Sequence, residues 1–74
     1  MIELNDKERA VLVDAANGLT ATETSLKRFY SKSMIKRRRS DVCKKLNANT
    51  TAHAVALALV TGILKASEVN TYER

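Results

Sequence analysis

Residues 20–46 read TATETSLKRFYSKSMIKRRRSDVCKKL and contain the signals that determine how the helices are arranged. Thr20 stands three residues before Glu23, which is the T-x-x-E capping box that starts a helix. Ser31 offers another N-cap shortly afterwards, so a short helix ending near Phe29 is followed, after a turn of about three residues, by a longer helix. The sequence therefore predicts two consecutive helices joined by a tight turn.

Helices are also predicted on both sides of this pair. Asn5 followed by Glu8 gives a first helix a similar capping signal. Thr50 can cap a fourth helix over residues 51–61, and Gly62 can adopt the left-handed conformation that ends it. We therefore predict an all-α fold of four helices.

Length and composition favour a single domain. The chain has 74 residues, of which 45% are hydrophobic and 28% charged, with no Pro and two Gly, as is typical of a folded helical domain. We assign residues 1–64 to this domain and residues 65–74 to a short polar tail that we expect to fray. The longest apolar run, 54–60, extends at most to Leu64 with Thr61 and Gly62 inside it, well short of the roughly 20 residues that span a bilayer. A single Cys and no signal-peptide pattern favour a cytoplasmic, nucleoid-associated protein.

Positive charge is concentrated in one segment. Residues 27–45 carry nine Lys or Arg and one Asp, a local balance of +8, whereas the net charge of the whole chain is +5. The remaining residues therefore sum to −3. Such a division is typical of a protein that meets a polyanion with one face, and a basic helix that is merely solvated is the alternative.

The third helix has two distinct faces. An apolar stripe contains Ile35, Val42, Cys43 and Leu46, at the spacing expected for a buried side. The opposite face contains Lys36, Arg37 and Ser40. A short helix, a tight turn and a longer helix with a basic outer face form the helix-turn-helix arrangement, in which the second helix enters the major groove of DNA. These three side chains are therefore candidates for contacts with base edges.

A family resemblance extends this interpretation over residues 4–64. The matching segments are L-N-D-K-E-R-A-V-L at 4–12, A-N-G-L-T-A-T-E at 16–23, Y-S-K-S-M-I-K-R-R at 30–38, V-C-K-K-L at 42–46, A-V-A-L-A at 54–58 and G-I-L at 62–64. At this spacing, and without a gap, the chain resembles the LuxR/GerE-type four-helix DNA-binding domain. The resemblance implies a transcriptional regulator that binds double-stranded DNA as a homodimer.

The resemblance also implies roles for individual residues. Base contacts fall on Lys36, Arg37 and Ser40, and phosphate contacts on Lys32, Ser33, Met34, Arg38 and Thr51. A protein-interaction module that binds RNA polymerase or a heteromeric regulator through its basic face is the alternative function, because a shared fold does not fix function.

The second helix departs from the family pattern. Thr24, Ser25 and Arg28 stand where the family has apolar residues. Two structural outcomes are open: either the helix rotates so that Leu26 and Phe29 are buried instead, or it packs weakly.

Arg39 is a further departure, because it lies on the inner side of the third helix. A buried, unpaired charge costs several kcal/mol, so the side chain must snorkel to solvent or find a carboxylate. Glu8 and Glu23 are the candidate partners.

The fourth helix is apolar on nearly every side, although so short a chain cannot cover it completely. We predict that its uncovered side is a homodimer interface formed by Ala52, Val55, Ala56 and Leu59. A helix whose Ala-rich outer side is simply exposed is the alternative.

The sequence contains no pattern typical of an enzyme. His53 is the only His, Cys43 lies on the apolar stripe, and no group of residues has the spacing of metal ligands. We expect no catalytic residue, no metal and no cofactor.

Overall fold

Four helices make up the chain between residues 2 and 69, which are the residues that the computed structural model describes. They are α1 (Asp6–Ala16), α2 (Ala21–Arg28), α3 (Lys32–Leu46) and α4 (Thr51–Thr61), and a single 3-10 turn, Ala66–Glu68, follows them. No strand occurs in this part of the chain. The prediction of an all-α domain with four helices is confirmed.

Each helix begins at the residue that the sequence indicates. The side chains of Asn5, Thr20, Ser31 and Thr50 each accept a hydrogen bond from the backbone N–H three residues further on, at 2.8, 3.1, 3.1 and 3.0 Å. The Glu carboxylates of the two capping boxes accept the reciprocal bonds from the backbone of Asn5 and Thr20. Local hydrogen bonding therefore fixes all four starting points.

The helix ends follow one rule with one exception. Gly18, Asn47 and Gly62, which follow α1, α3 and α4, have φ values of 83°, 54° and 81°. Gly and Asn are the residues that adopt this left-handed conformation most easily. The residue that ends α2 is Phe29, with φ 59°, and a bulky residue in this region costs roughly 1–2 kcal/mol.

The apolar core lies between α1, α3 and α4, and α3 packs against all three other helices. Its buried members are Leu12, Val42, Leu46, Ala54, Ala58 and Leu64. The predicted apolar stripe of α3 supplies two of these residues, and Ile35 on the same stripe is also fully buried. The stripe therefore turns the opposite side of α3 towards solvent.

The structure resolves the question of which side of α2 is buried. Thr24 is completely buried and Arg28 is half-buried, whereas Leu26 and Phe29 are 73% and 93% exposed. The alternative in which α2 rotates to bury its apolar residues is therefore wrong. Burying the polar side is possible because α1 provides a carboxylate to receive Arg28.

That carboxylate belongs to Asp14, which is fully buried. Arg28 donates to both of its oxygens, from Nε at 2.7 Å and from Nη2 at 2.9 Å, and the Lys27 ammonium lies 3.2 Å from Oδ1. Burial raises the pKa of Asp14, but the hydrogen bonds from Arg28 and Lys27 outweigh burial and hold the pKa below its usual value. An ion pair therefore joins α2 to α1.

A second buried carboxylate joins α1 to α3. Glu8 Oε1 accepts from the backbone N–H of Asn5 at 2.9 Å and from the Lys45 ammonium at 2.7 Å. Burial raises the pKa of Glu8, but these two hydrogen bonds outweigh it and leave the pKa below the usual value.

Arg39 does not use either of the carboxylates that we expected. Glu8 is paired with Lys45, and Glu23 caps α2. Arg39 instead donates from Nη2 to the backbone carbonyl of Leu19, at 3.1 Å. The loop before α2 leaves that carbonyl available, so one donor of the guanidinium is satisfied without an acid, whereas Arg39 Nε is buried without a hydrogen-bond partner among the described residues.

The chain after α4 is held against α1 as far as the structure describes it. Arg9 donates to the Ile63 carbonyl at 2.6 Å and pairs with Glu68 at 2.5 Å, and Asn17 donates to the Glu68 carbonyl at 2.9 Å. Residues 65–69 therefore differ from the frayed tail that we expected, and the rest of that tail lies outside the described residues. No helix within residues 2–69 has the length and apolarity needed to cross a membrane.

Candidate nucleic-acid interface

The nine basic residues of the segment 27–45 fall into two groups, and five of them make ion pairs or hydrogen bonds within the domain. These five are Lys27, Arg28, Arg38, Arg39 and Lys45. Four of them pair with a carboxylate and the fifth, Arg39, with a backbone carbonyl. More than half of the basic residues that suggest a polyanion partner are therefore engaged within the domain.

The other four basic residues form one exposed surface. Lys32, Lys36, Arg37 and Lys44 are exposed and make no hydrogen bond or ion pair with any other described residue. All four belong to α3, and at about 100° per residue they fall within an arc of about 140° that also contains Ser33 and Ser40. We call these six residues the α3 cationic stripe.

The fold makes this stripe available because it holds α3 from the other side. Ile35 and Val42 are almost completely buried, and Leu46 is in the core with them. The stripe lies roughly opposite these three residues on the helix surface. With 15 residues, α3 is about 22 Å long at about 1.5 Å per residue. The result is a basic helix face whose charge is not compensated by any residue between 2 and 69.

The amino-terminal end of α3 is fixed by its connection to α2. Ser25 donates to the Tyr30 carbonyl at 2.6 Å, and Ser31 caps α3. The free backbone N–H groups of the first turn carry the positive end of the helix dipole, which favours an anion. Lys32 and Ser33 are exposed at this end.

The residues predicted to contact DNA differ in how exposed they are to solvent. Lys36, Arg37 and Ser40, the candidates for base contacts, are all exposed, as are Lys32 and Ser33 among the candidates for phosphate contacts. The other phosphate candidates, Met34, Arg38 and Thr51, are half-buried.

Arg38 and Lys44 are the two basic residues for which the structure adds most to the sequence. The Arg38 side chain is 28% exposed and its Nη1 lies 3.6 Å from Asp41 Oδ2, so part of its charge is compensated. Lys44 belongs to the stripe, but sequence reasoning did not select it. Its position four residues after Ser40, one helical turn along the same face, is the signal that would have found it.

The side of α4 that faces away from the core is mostly apolar, with His53 exposed at its amino-terminal end. Of the residues predicted to form a dimer interface, Ala52, Ala56 and Leu59 are exposed and Val55 is half-buried. Val60 was missed, although it is 84% exposed and shares this side of the helix. Exposure of Val60 extends the apolar surface beyond the predicted residues.

His53 and Cys43, the remaining candidate residues, both contact other parts of the domain. His53 Nδ1 accepts a hydrogen bond from the backbone N–H of Asn49 at 3.1 Å, which braces the turn before α4. Cys43 is half-buried beside the core. Between residues 2 and 69 there is no pocket and no group of three or more potential metal ligands.

Comparison with known proteins adds no further assignment. The chain matches no protein-family model, and it matches no curated protein at a significant level.

Proposed function

We propose that this chain is a divergent helix-turn-helix domain of the LuxR/GerE type and that it binds duplex DNA as a transcriptional regulator. The observation that carries the proposal is the α3 cationic stripe, where two Ser and four basic side chains without a partner among residues 2–69 share one exposed helix face. The short α2, the connection at 29–31 and the longer α3 have the order and lengths of a helix-turn-helix. In the proposed complex α3 lies in the major groove.

The dimensions of α3 support this placement. A helix about 10–12 Å across fits the B-DNA major groove, which is about 12 Å wide. Lys36, Arg37 and Ser40 occupy the middle of the stripe and would face base edges, where Arg and Lys suit the O6 and N7 acceptors of guanine. Lys32 and Ser33 at the start of α3 would contact phosphate, as would Lys44 near its end.

We further propose that the protein binds DNA as a homodimer formed through α4. Ala52, Ala56, Leu59 and Val60 give α4 an apolar outer side, and small residues allow a second helix to approach closely. A twofold pair would place two copies of α3 about 34 Å apart, one turn of DNA.

Salt titration of duplex binding tests the DNA-binding function. If each chain neutralises about four phosphates, the slope of log K against log salt is about −3.6 per chain and about −7 for a dimer. Lys32→Ala should weaken binding to all sequences alike and reduce the slope by about 0.9. Lys36→Ala and Arg37→Ala should instead reduce discrimination between a preferred and a mismatched site by roughly 1–3 kcal/mol.

Lys65→Ala is the matched control, because it removes one exposed positive charge that lies outside α3. It should leave both the affinity and the slope close to those of the parent. A slope near zero for the parent would contradict the proposal and favour an acidic protein surface as the partner. Equal losses on every sequence for all three α3 variants would contradict the assignment of base contacts.

Substitution of Ala56 by Glu tests the dimer. A carboxylate at this exposed position would face its own symmetry copy, where it is both desolvated and repelled. We expect Ala56→Glu to remain helical but to bind a duplex with two half-sites without cooperativity, as measured by sedimentation and binding curves. Unchanged cooperativity would show that α4 is not the interface.

A further inference from the structure

Phe29 has an exposed aromatic ring and a positive φ, and neither feature stabilises the fold. Its side chain is 93% exposed, although Phe is among the side chains that gain most from burial. Its backbone has φ 59°, at a position where the other three helices of the domain use Gly or Asn. A Gly at residue 29 would end α2 with less strain and without exposing an aromatic ring.

The surroundings of Phe29 are cationic. Lys27 precedes it by two residues, and Lys32, the first residue of the α3 cationic stripe, follows it by three. The Lys27 side chain is 56% exposed but its ammonium already pairs with Asp14, whereas Lys32 is exposed and unpaired among the described residues. An occupant that contacts this ring therefore carries negative charge next to it.

The apolar area near Phe29 is small, and this limits the kind of occupant. Only Leu26 adds a second large exposed apolar side chain on α2, beside the polar Thr22 and Glu23. Stable protein–protein contacts bury about 800 Å² on each partner, whereas one large aromatic side chain supplies only about 150–250 Å². A single exposed ring is sufficient, however, to stack against a nucleobase.

We propose that the Phe29 ring stacks on an unpaired base of a nucleic acid whose phosphate backbone follows the α3 cationic stripe. The chemistry is that of a single-strand binding surface, in which cations track the backbone and an aromatic ring accepts the base without sequence preference. The proposal rests on the proposed binding of nucleic acid and adds a preference for a strand or duplex that offers an unpaired base.

Three DNA probes test the proposal: a mixed-sequence duplex, the same duplex with one unpaired thymine, and an oligothymidylate strand. For Phe29→Ala we expect a loss of about 5- to 150-fold in affinity for the two probes with unpaired bases, and little change for the intact duplex. Phe29→Trp should retain binding and Phe29→Leu should not, because stacking needs a ring and not merely apolar area.

Leu26→Ala is the matched control, since it removes an exposed apolar side chain from the same helix but no ring. It should bind all three probes like the parent, and circular dichroism should show that every variant is folded. Equal affinity of the parent and Phe29→Ala for the thymine probes would overturn the proposal. Full retention of binding to the thymine probes by Phe29→Leu would also overturn it, because Leu supplies apolar area but no ring to stack on a base.

The outcomes also separate this proposal from the proposed function. If the parent binds the intact duplex and Phe29→Ala changes nothing on any probe, only the stacking proposal fails. If the parent binds the thymine strand through Phe29 but not the intact duplex, only the duplex-binding function fails. Binding to none of the probes would reject both.

Discussion

The core between α1, α3 and α4 and the attachment of α2 are built from different interactions. The core is formed by aliphatic residues such as Leu12 and Val42, whose buried side chains have no polar atoms that need a hydrogen-bond partner. On the inner side of α2 lie Thr24 and Arg28 instead, and the ion pair with Asp14 joins this helix to α1. A helix with a polar inner side can therefore be held in a small domain when a neighbouring helix supplies a buried counter-charge.

The two kinds of attachment differ in how they tolerate change. Aliphatic packing loses stability in proportion to the volume removed, whereas a buried ion pair fails abruptly when one partner is lost. Thr24 Oγ1 is buried without a hydrogen-bond partner among the described residues, so the inner side of α2 carries an additional uncompensated polar atom. We therefore expect α2 to be the least stable of the four helices.

The largest expected effect comes from breaking the ion pair on one side. Arg28→Ala leaves the Asp14 carboxylate buried with only Lys27 beside it, and we expect a loss of roughly 3–5 kcal/mol in the free energy of unfolding. Urea denaturation measures this loss.

The double variant Asp14→Leu with Arg28→Leu converts the polar contact between α1 and α2 into an apolar one of the kind found in the core. We expect it to be within about 1 kcal/mol of the parent, or more stable than the parent. If the double variant is as unstable as Arg28→Ala, the loss does not come from the uncompensated carboxylate.

A smaller effect is expected from acid. The pKa values of Glu8 and Asp14 are lowered by folding, so both carboxylates contribute stability above their ordinary values of 4.5 and 3.8. This contribution is lost as the pH falls through the depressed values of the folded protein. We expect the urea midpoint to be constant near neutral pH and to decrease once the pH is below 4.5. In that range the unfolded chain binds protons at carboxylates that are still ionised in the folded protein.

Glu8→Gln provides the reference for the acid experiment. It keeps an oxygen acceptor for the backbone of Asn5 but removes the charge that pairs with Lys45. Its stability at neutral pH should be lower than that of the parent, and its dependence on acid should be weaker. An equally steep acid dependence would assign the effect to other carboxylates.

The smallest effect has the opposite sign. Phe29→Gly removes a bulky residue from positive φ, and after the entropy cost of a Gly we expect a gain of roughly 0.5–1 kcal/mol in stability. Asn47→Gly is the matched control at another positive φ, and it should change stability less because Asn tolerates this region. Thermal unfolding of both variants measures the difference. Destabilisation by Phe29→Gly would show that the ring contributes to the fold.

Local signals account for what the sequence predicts well. The four N-caps and the Gly and Asn residues at helix ends are local signals, so the starts of all four helices and the ends of α1, α3 and α4 follow from them, whereas α2 ends at Phe29 without such a residue. The apolar stripe of α3 also predicts its buried side, and therefore the exposure of Lys36, Arg37 and Ser40.

Long-range pairing accounts for what the sequence leaves open. Asp14 and Arg28 are 14 residues apart, and Glu8 and Lys45 are 37 apart, so no local pattern shows that they meet. For the same reason the nine basic residues of 27–45 look alike in the sequence, although only four of them are unpaired within the described chain. The inward side of α2 was undecided because its polarity contradicts the rule that apolar residues are buried.

Because Glu8 serves both α1 and α3, the folding of these two helices is coupled. One oxygen, Oε1, both completes the cap of α1 and receives Lys45 from α3. Lys45 holds the Glu8 carboxylate in place at the start of α1, so the cap of α1 is strongest only when α3 is packed against it. In turn, α3 can form its ion pair with Glu8 only when α1 is folded. The two helices therefore stabilise each other during folding, and a peptide containing α1 alone should be much less helical than the same segment in the intact chain.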